Sequence, residues 1–268
     1  MKLIISRIFS LKYWLKEVLT HWILFFKVKK MHNRKKIMKF KNIHKNEVVF
    51  CLGAGPSLNK ENLSLLNGEI VIFTNSSYKL LERISPKNKY WFVQDQYRLN
   101  ELNSVDKSLF DASFKSLHNL LTFKRDNILD SEIFIQPEFL FKVYRRIYIP
   151  QIVEAGIKFS TQLHERVNLA GNSVIFSAIQ LAYYMGAKKI VLLGVDMNYG
   201  MNPQQSYFDK DSINNISFWP ISYENNAKPA FLAYRELLDS RGVQLINSTC
   251  ETKEDVLLKV PLERVKFH

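Results

Sequence analysis

From residue 48 onward, short apolar runs alternate with segments in which apolar positions recur every three or four residues. Runs 48–52, 70–74, 90–93, 190–193 and 243–246 are each followed within two residues by Gly, Asn or Asp, the pattern of strands buried on both faces. Between them, 60–66, 78–84, 173–185 and 228–240 carry helical periodicity, with Asn172 or Ser173 placed to cap the third of these and Gly186 to end it. Strands alternating with helices predict an α/β, Rossmann-like fold with a mostly parallel sheet and helices on both faces. The stretch 100–160 has no clear periodicity beyond a short strand pattern at 133–136. Without an internal repeat or Gly/Ser linker, 47–268 reads as one domain.

Residues 1–46 have a different pattern. Ile4, Ile8, Leu11, Leu15, Val18, Leu19, Trp22 and Phe26 fall on one helical face, with Ser6, Ser10, Lys12, Lys16, Glu17 and Thr20 opposite. This predicts a basic amphipathic helix preceding the domain. Its longest uncharged run, 18–26, is far below the roughly 20 residues that span a bilayer. No small-residue cleavage site follows, and the basic run 27–41 opposes export. The whole chain has 38 Lys/Arg and 25 Asp/Glu, a net charge of +13. Thirteen of those bases and only Glu17 of the acids lie within 1–46, leaving 25 bases against 24 acids in the body. The excess charge therefore belongs to the leader, which argues against a nucleic-acid-binding body. With Trp14, Trp22, Phe25 and Phe26 beside lysines, 1–46 reads as a peripheral anchor on the anionic inner face of the cell membrane, in the cytoplasm. Docking of this helix on the protein's own core or on a partner subunit is one alternative, and phosphate contact of the basic, aromatic arm with nucleic acid is another. Cys51 and Cys250 form no metal or disulfide pattern and fit a reducing compartment.

Ligands of open α/β sheets bind at the carboxyl ends of the strands, so the polar residues there are the candidates. After the first strand comes Gly53-Ala54-Gly55-Pro56-Ser57-Leu58, a turn whose glycines allow close approach of a phosphate, with Pro56 set for a helical start and Ser57 as a hydroxyl donor. A plain structural turn is the competing reading. A nicotinamide fingerprint would need Gly at 58 and an acid near 75, where Leu58 and Asn75 stand, and no Gly-Lys-Ser/Thr marks a P-loop. Asn75 follows the second strand, Gln94 and Asp95 the third. Asn172 and Ser173 open a helix that leads, through the strand 190–193, to Gly194, Asp196, Asn198 and Tyr199.

The combination GAGPSL, TNSSY, GNSV and LGVDMNYG resembles the bacterial sialyltransferases of glycosyltransferase family forty-two. It also resembles the domain shared by motility-associated-factor glycosyltransferases and 6-hydroxymethylpterin pyrophosphokinase-like proteins. The resemblance covers 48–75 and 171–208 and, more faintly, 225–249. It implies a nucleotide-sugar-binding glycosyltransferase that takes a CMP-activated nonulosonic acid, a sialic-acid-like sugar, as donor and needs no metal or other cofactor. Carried over, Gly53, Gly55, Pro56 and Ser57 would line the phosphate, while Asn75, Gln94, Asp95, Asn172 and Ser173 would contact the donor. Gly194, Asp196 and Asn198 would face the nucleoside, and Tyr199 and Tyr207 would hold the leaving phosphate.

The family's catalytic His has no counterpart, since no His lies between His164 and His268. The alignment puts Asn225 near its place, so Glu224 is the first candidate base, provided it is partly buried, with Asp209 and Asp196 behind it. The expected partners are the nucleotide-sugar donor, a surface-glycan acceptor such as lipopolysaccharide, and the membrane; assembly into a homo-oligomer is left open. Two other readings stand beside this one: an ATP-dependent pyrophosphokinase-like transferase, and a catalytically silent nucleotide-sugar-binding subunit.

Overall fold

The computed structural model describes residues 34–94, 104–116, 132–134, 159–165, 167, 171, 173–198, 207–208 and 223–267. Eight strands form one sheet: β1 Val48–Leu52, β2 Ile70–Thr74, β3 Asn88–Val93, β4 Ala112–Lys115, β5 Glu132–Phe134, β6 Lys189–Leu193, β7 Gln244–Asn247 and β8 Leu258–Lys259. Their order is β5-β4-β3-β2-β1-β6-β7-β8, and every pairing is parallel. The chain runs outward from β1 to β5 and then returns to lay β6 on the other side of β1. That reversal creates a switch point between β1 and β6, where Cys51 pairs with Leu192 and Leu52 with Leu193.

β2 and β6 are buried at every position because both faces of the sheet are covered. On one face Cys51, Ile72, Phe92 and Leu192 pack with the α-helices α1 Arg34–Met38, α2 Val174–Tyr184 and α3 Lys228–Ser240 through Ile37, Phe176, Ile179 and Phe231. On the other, Phe50, Phe73, Trp91 and Val191 meet Leu58, Leu66 and Leu80. The covering segments here are 3-10 helices, Pro56–Asn59, Leu63–Leu66 and Asn75–Glu82, where the sequence predicts α-helices over 60–66 and 78–84. The three-residue repeat eclipses positions i and i+3, so Leu63 and Leu66, and likewise Ser77 and Leu80, are buried together in short segments. Strands β4 and β8 carry no sequence prediction, and the strand predicted at 133–136 forms at Glu132–Phe134.

The packed body already includes part of the basic leader, upstream of the boundary drawn at 46. Ile37 has no exposed surface, and Phe40 lies edge-on to Phe114 at 5.1 Å. The Nε2 of His44 is 2.7 Å from the Tyr90 hydroxyl and its Nδ1 is 2.9 Å from Glu47. The amides of Asn42, His44 and Asn46 donate to the carbonyls of Tyr184, Met185 and Gly186, satisfying the end of α2. Gly186, at φ +94°, is the expected helix stop, and a Cβ there would stand 3.0 Å from the Lys45 Cα. The amphipathic pattern at 3–26 lies outside the described residues, among which no helix is long and apolar enough to cross a membrane.

If 34–46 belongs to the core, Ile37→Ala should lower folding stability by about 2–5 kcal/mol, as a buried aliphatic truncation does. Urea unfolding measures this; an unchanged midpoint would return the segment to the leader.

Candidate active site at the carboxyl rim

Where β1 and β6 end, their following turns meet. The amide of Gly53 donates to the Leu193 carbonyl at 2.8 Å and that of Gly55 to the Gly194 carbonyl at 2.9 Å. A Cβ on Gly53 would lie 2.3 Å from the Gly194 oxygen, and one on Gly55 would fall 1.4 Å from Asp196 Oδ2. Gly194 itself, at φ +64°, lies against Leu58. The group that comes close to the glycine turn is therefore the second turn with its aspartate. The amides of Gly53, Gly55, Ser57 and Leu58 all donate within the chain, and Pro56 has none to offer. Gly53, Gly55 and Pro56 therefore have no free amide to offer the expected phosphate, which would have to meet the turn through other groups. A carboxylate takes the anion's place: Asp196 accepts from the Ser57 amide at 3.3 Å and from the Ser57 hydroxyl at 3.0 Å.

Asp196 is 8% exposed. Burial pushes its carboxyl up to about 6, against the pull of the two Ser57 hydrogen bonds, and Glu251 adds to the rise. The loop after β7 forms the second wall. Thr249 Oγ1 accepts from the Val195 amide, Thr252 Oγ1 donates to the Val195 carbonyl at 2.7 Å, and the Lys253 amide donates to the Asp196 carbonyl. Met197, the next residue, is held at φ +54°, a conformation costly for a side chain of its kind and common at working sites.

Along the rim, Asn75 sits at φ +42° and ties β2 to β3: its Oδ1 accepts from the Gln94 amide at 2.9 Å and its carbonyl from Trp91 Nε1 at 2.7 Å. Thr74 and Ser77 both donate to the Leu52 carbonyl, so much of the TNSS motif is a stitch between strand ends. Gln94 is buried and its Oε1 accepts from Ser177 on α2. Among the described residues, Ser76 Oγ, Gln94 Nε2, Ser116 Oγ and Ser248 Oγ are buried without a hydrogen-bond partner, as is Ser113 Oγ within β4. The first four stand one or two residues past β2, β3, β4 and β7. Unsatisfied buried polar atoms are rare in folded proteins, and their gathering on one rim marks a surface suited to a polar ligand. Lys115, the last residue of β4, is fully buried, an unusual setting for a cation.

The remaining predicted residues are distributed unevenly. Tyr207 adjoins Phe208, whose amide donates to the Ala54 carbonyl, so this segment is brought to the glycine turn. Ser173 is the N-cap residue of α2 without a side-chain cap bond, and Asn198 is exposed. Glu224 is 66% exposed at its side chain and paired with Lys228 at 3.3 Å. It thus lacks the burial that its assignment as general base requires. Asp95, Asn172, Tyr199 and Asp209 lie outside the described residues. Ser76, Ser116, Ser177, Ser248 and the loop 249–254 are not among the expected residues; for Ser76, Ser116 and Ser248 a polar residue just after a strand is the available signal, while Ser177, inside α2, has none.

Because the folded-state pKa of Asp196 lies above its ordinary 3.8, the native state binds the proton more readily, and native stability falls as pH rises from about 4 to about 6. Asp196→Asn should therefore gain on the wild type over that interval, by up to roughly 2–3 kcal/mol, in urea titrations at several pH values. A constant difference would mean an ordinary carboxyl. Gly55→Ala should lower the melting temperature, its Cβ colliding with Asp196.

No curated protein matches the chain. Among solved structures, the chain is similar to the sialyltransferase CstII from Campylobacter jejuni in complex with a substrate analogue, cytidine-5'-monophosphate. The two are 15% identical over 81% of this chain and 86% of that one, with a TM-score of 0.48. A structure of the sialyltransferase CST-II with trisaccharide acceptor and CMP is 17% identical over 80% and 86%, with a TM-score of 0.41. The family model described as 6-hydroxymethylpterin diphosphokinase MptE-like matches residues 25–202, more than half of the chain and all of β1 to β6, and the chain belongs to that family.

Proposed function

We propose that this chain is a nucleotide-dependent transferase acting at the carboxyl rim, and that it moves a nonulosonic acid from a CMP-activated donor to a hydroxyl of a surface glycan such as lipopolysaccharide. The observation that carries the reading is Asp196, a buried carboxylate at the β1/β6 switch point beside a turn whose Gly53, Gly55, Ser57 and Leu58 amides are already engaged. Such a group favours hydrogen-bond donors and repels phosphate. It suits a ribose hydroxyl or the cytosine amine, with the phosphate lying further along the rim, where Ser76, Gln94 and Ser116 offer uncharged donors. Neutral donors suit the single negative charge of the donor's phosphodiester, whereas a triphosphate beside Asp196 needs a cation.

In the transfer, the acceptor oxygen bonds to the anomeric carbon as the bond from that carbon to the phosphate oxygen breaks. CMP leaves with the electron pair. The rim donors and Tyr207 stabilise the second charge on its phosphate, and a carboxylate takes the acceptor's proton.

Diphosphate transfer from ATP is the second reading, favoured by the family match. Among the described residues no three His, Cys, Asp or Glu gather as a metal site, so its divalent ion would rest on Asp95, Asp209 and Asp211 together with Asp196.

Thermal shifts with CMP, UDP, GDP, NAD and ATP, each with and without Mg, separate the two. CMP should raise the melting temperature without metal. A shift from ATP with Mg alone would favour diphosphate transfer, and CMP-sugar binding without turnover would make the chain a binding subunit. Affinity for a CMP-linked sugar, whose phosphodiester does not titrate here, should rise between pH 5 and 7 as Asp196 loses its proton, and Asp196→Asn should flatten that rise. A fall over the same interval would place the phosphate on Asp196.

A further inference from the structure

At the opposite, amino edge of the sheet lies a cleft of about 630 Å³ between the loop before β1, the α2–β6 turn and the α3–β7 turn. Lys41, Lys45, Lys188 and Arg241 line it, and no Asp or Glu does. Arg241 reaches only the Tyr183 hydroxyl, at 3.4 Å, and among the described residues none of the four cations is in an ion pair. His164, in the wall, is pushed below the ordinary histidine range chiefly by its burial, with Arg34 and Lys41 adding to the fall and Glu165 opposing it. The framework is fixed, because the loop amides are bonded to the end of α2.

The end of α1 and the loop that follows it expose two large apolar side chains, Met38 at 48% and Ile43 at 43%. Exposed apolar residues set among lysines belong at the boundary between headgroups and acyl chains, while a site for a soluble anion has no use for them. From Arg34 to Asn46 the chain carries Arg34, Lys35, Lys36, Lys39, Lys41 and Lys45 without an acid, and it continues upstream into a further basic stretch.

From this geometry we infer that the amino edge is a docking surface for an anionic lipid bilayer, with lipid phosphates in the cleft and Met38 and Ile43 inserted beside them. The inference is independent of the reaction at the rim.

The test is co-sedimentation of the full chain with phosphatidylcholine vesicles, with and without phosphatidylglycerol. Binding should require phosphatidylglycerol. Combining Lys41→Gln, Lys45→Gln, Lys188→Gln and Arg241→Gln should weaken it about fivefold per charge removed. Ile43→Ser, at an exposed position and unchanged charge, should weaken it separately, with the urea midpoint of each variant held at the wild-type value. Wild-type binding by the fourfold variant would overturn the inference. So would a protein that ignores the vesicles yet is stabilised by inorganic phosphate, which would make the cleft a soluble-anion site.

Discussion

The close crossing of the two turns at the ends of β1 and β6 is the constraint on which the rim depends. Gly53 and Gly55 are glycines because a carbonyl and a carboxylate occupy the space a side chain would take, and Gly194 is held in the left-handed region against Leu58. A side chain at Gly53 or Gly55 would force the two turns apart and pull Ser57 away from Asp196. Since β1 is the central strand, flanked by β2 and β6, the displacement would fall on the middle of the sheet. Packing here and the electrostatics of the site are one problem: the contact that joins the turns is also the contact that buries the carboxylate.

That carboxylate gives the rim its chemical character. A glycine turn with outward amides selects anions; here the Gly53, Gly55, Ser57 and Leu58 amides donate inward and an aspartate is seated on the turn, which favours donors. The loop after β7 reinforces this by closing over Asp196 with Thr249, Thr252 and the Lys253 amide. Around it the strand ends are stitched in sequence. Thr74 and Ser77 bind the end of β1, Asn75 binds Gln94, and Gln94 receives Ser177 from α2. What is left over, the hydroxyls of Ser76, Ser116 and Ser248 and the Gln94 amide, is a row of hydrogen-bonding groups held by a rigid frame.

The sequence is most informative where burial is two-sided. β1 and β2 lie where their apolar runs predict, and α3 spans 228–240 as its periodicity predicts, because their pattern is enforced by the core. β4, with the sequence ASFK, and the two-residue β8 have no run long enough to announce themselves and exist through their pairing with neighbours. The 3-10 segments escape notice because a Leu repeat at i and i+3 suits an α-helix equally well. At the site, GAGPS is legible as a turn, but its partner is not. Ser57 and Asp196 are 139 residues apart, and nothing local indicates that the anion over the turn is the chain's own side chain. Asp196 is buried and Glu224 is exposed, and burial of an isolated acid has no sequence signature.

An all-parallel sheet has a polarity that an antiparallel one lacks, since every strand ends on one rim and begins on the other. Among the described residues, hydroxyls, amides and a buried carboxylate collect on the first rim, and cations without an ion pair on the second. Strands of five residues set the two roughly 16 Å apart. A surface held at the amino edge therefore leaves the carboxyl rim facing water. On the proposed reading, a glycan hydroxyl would have to reach the rim from the aqueous side, because a reactive group confined to the plane of such a bilayer would be on the wrong side of the sheet.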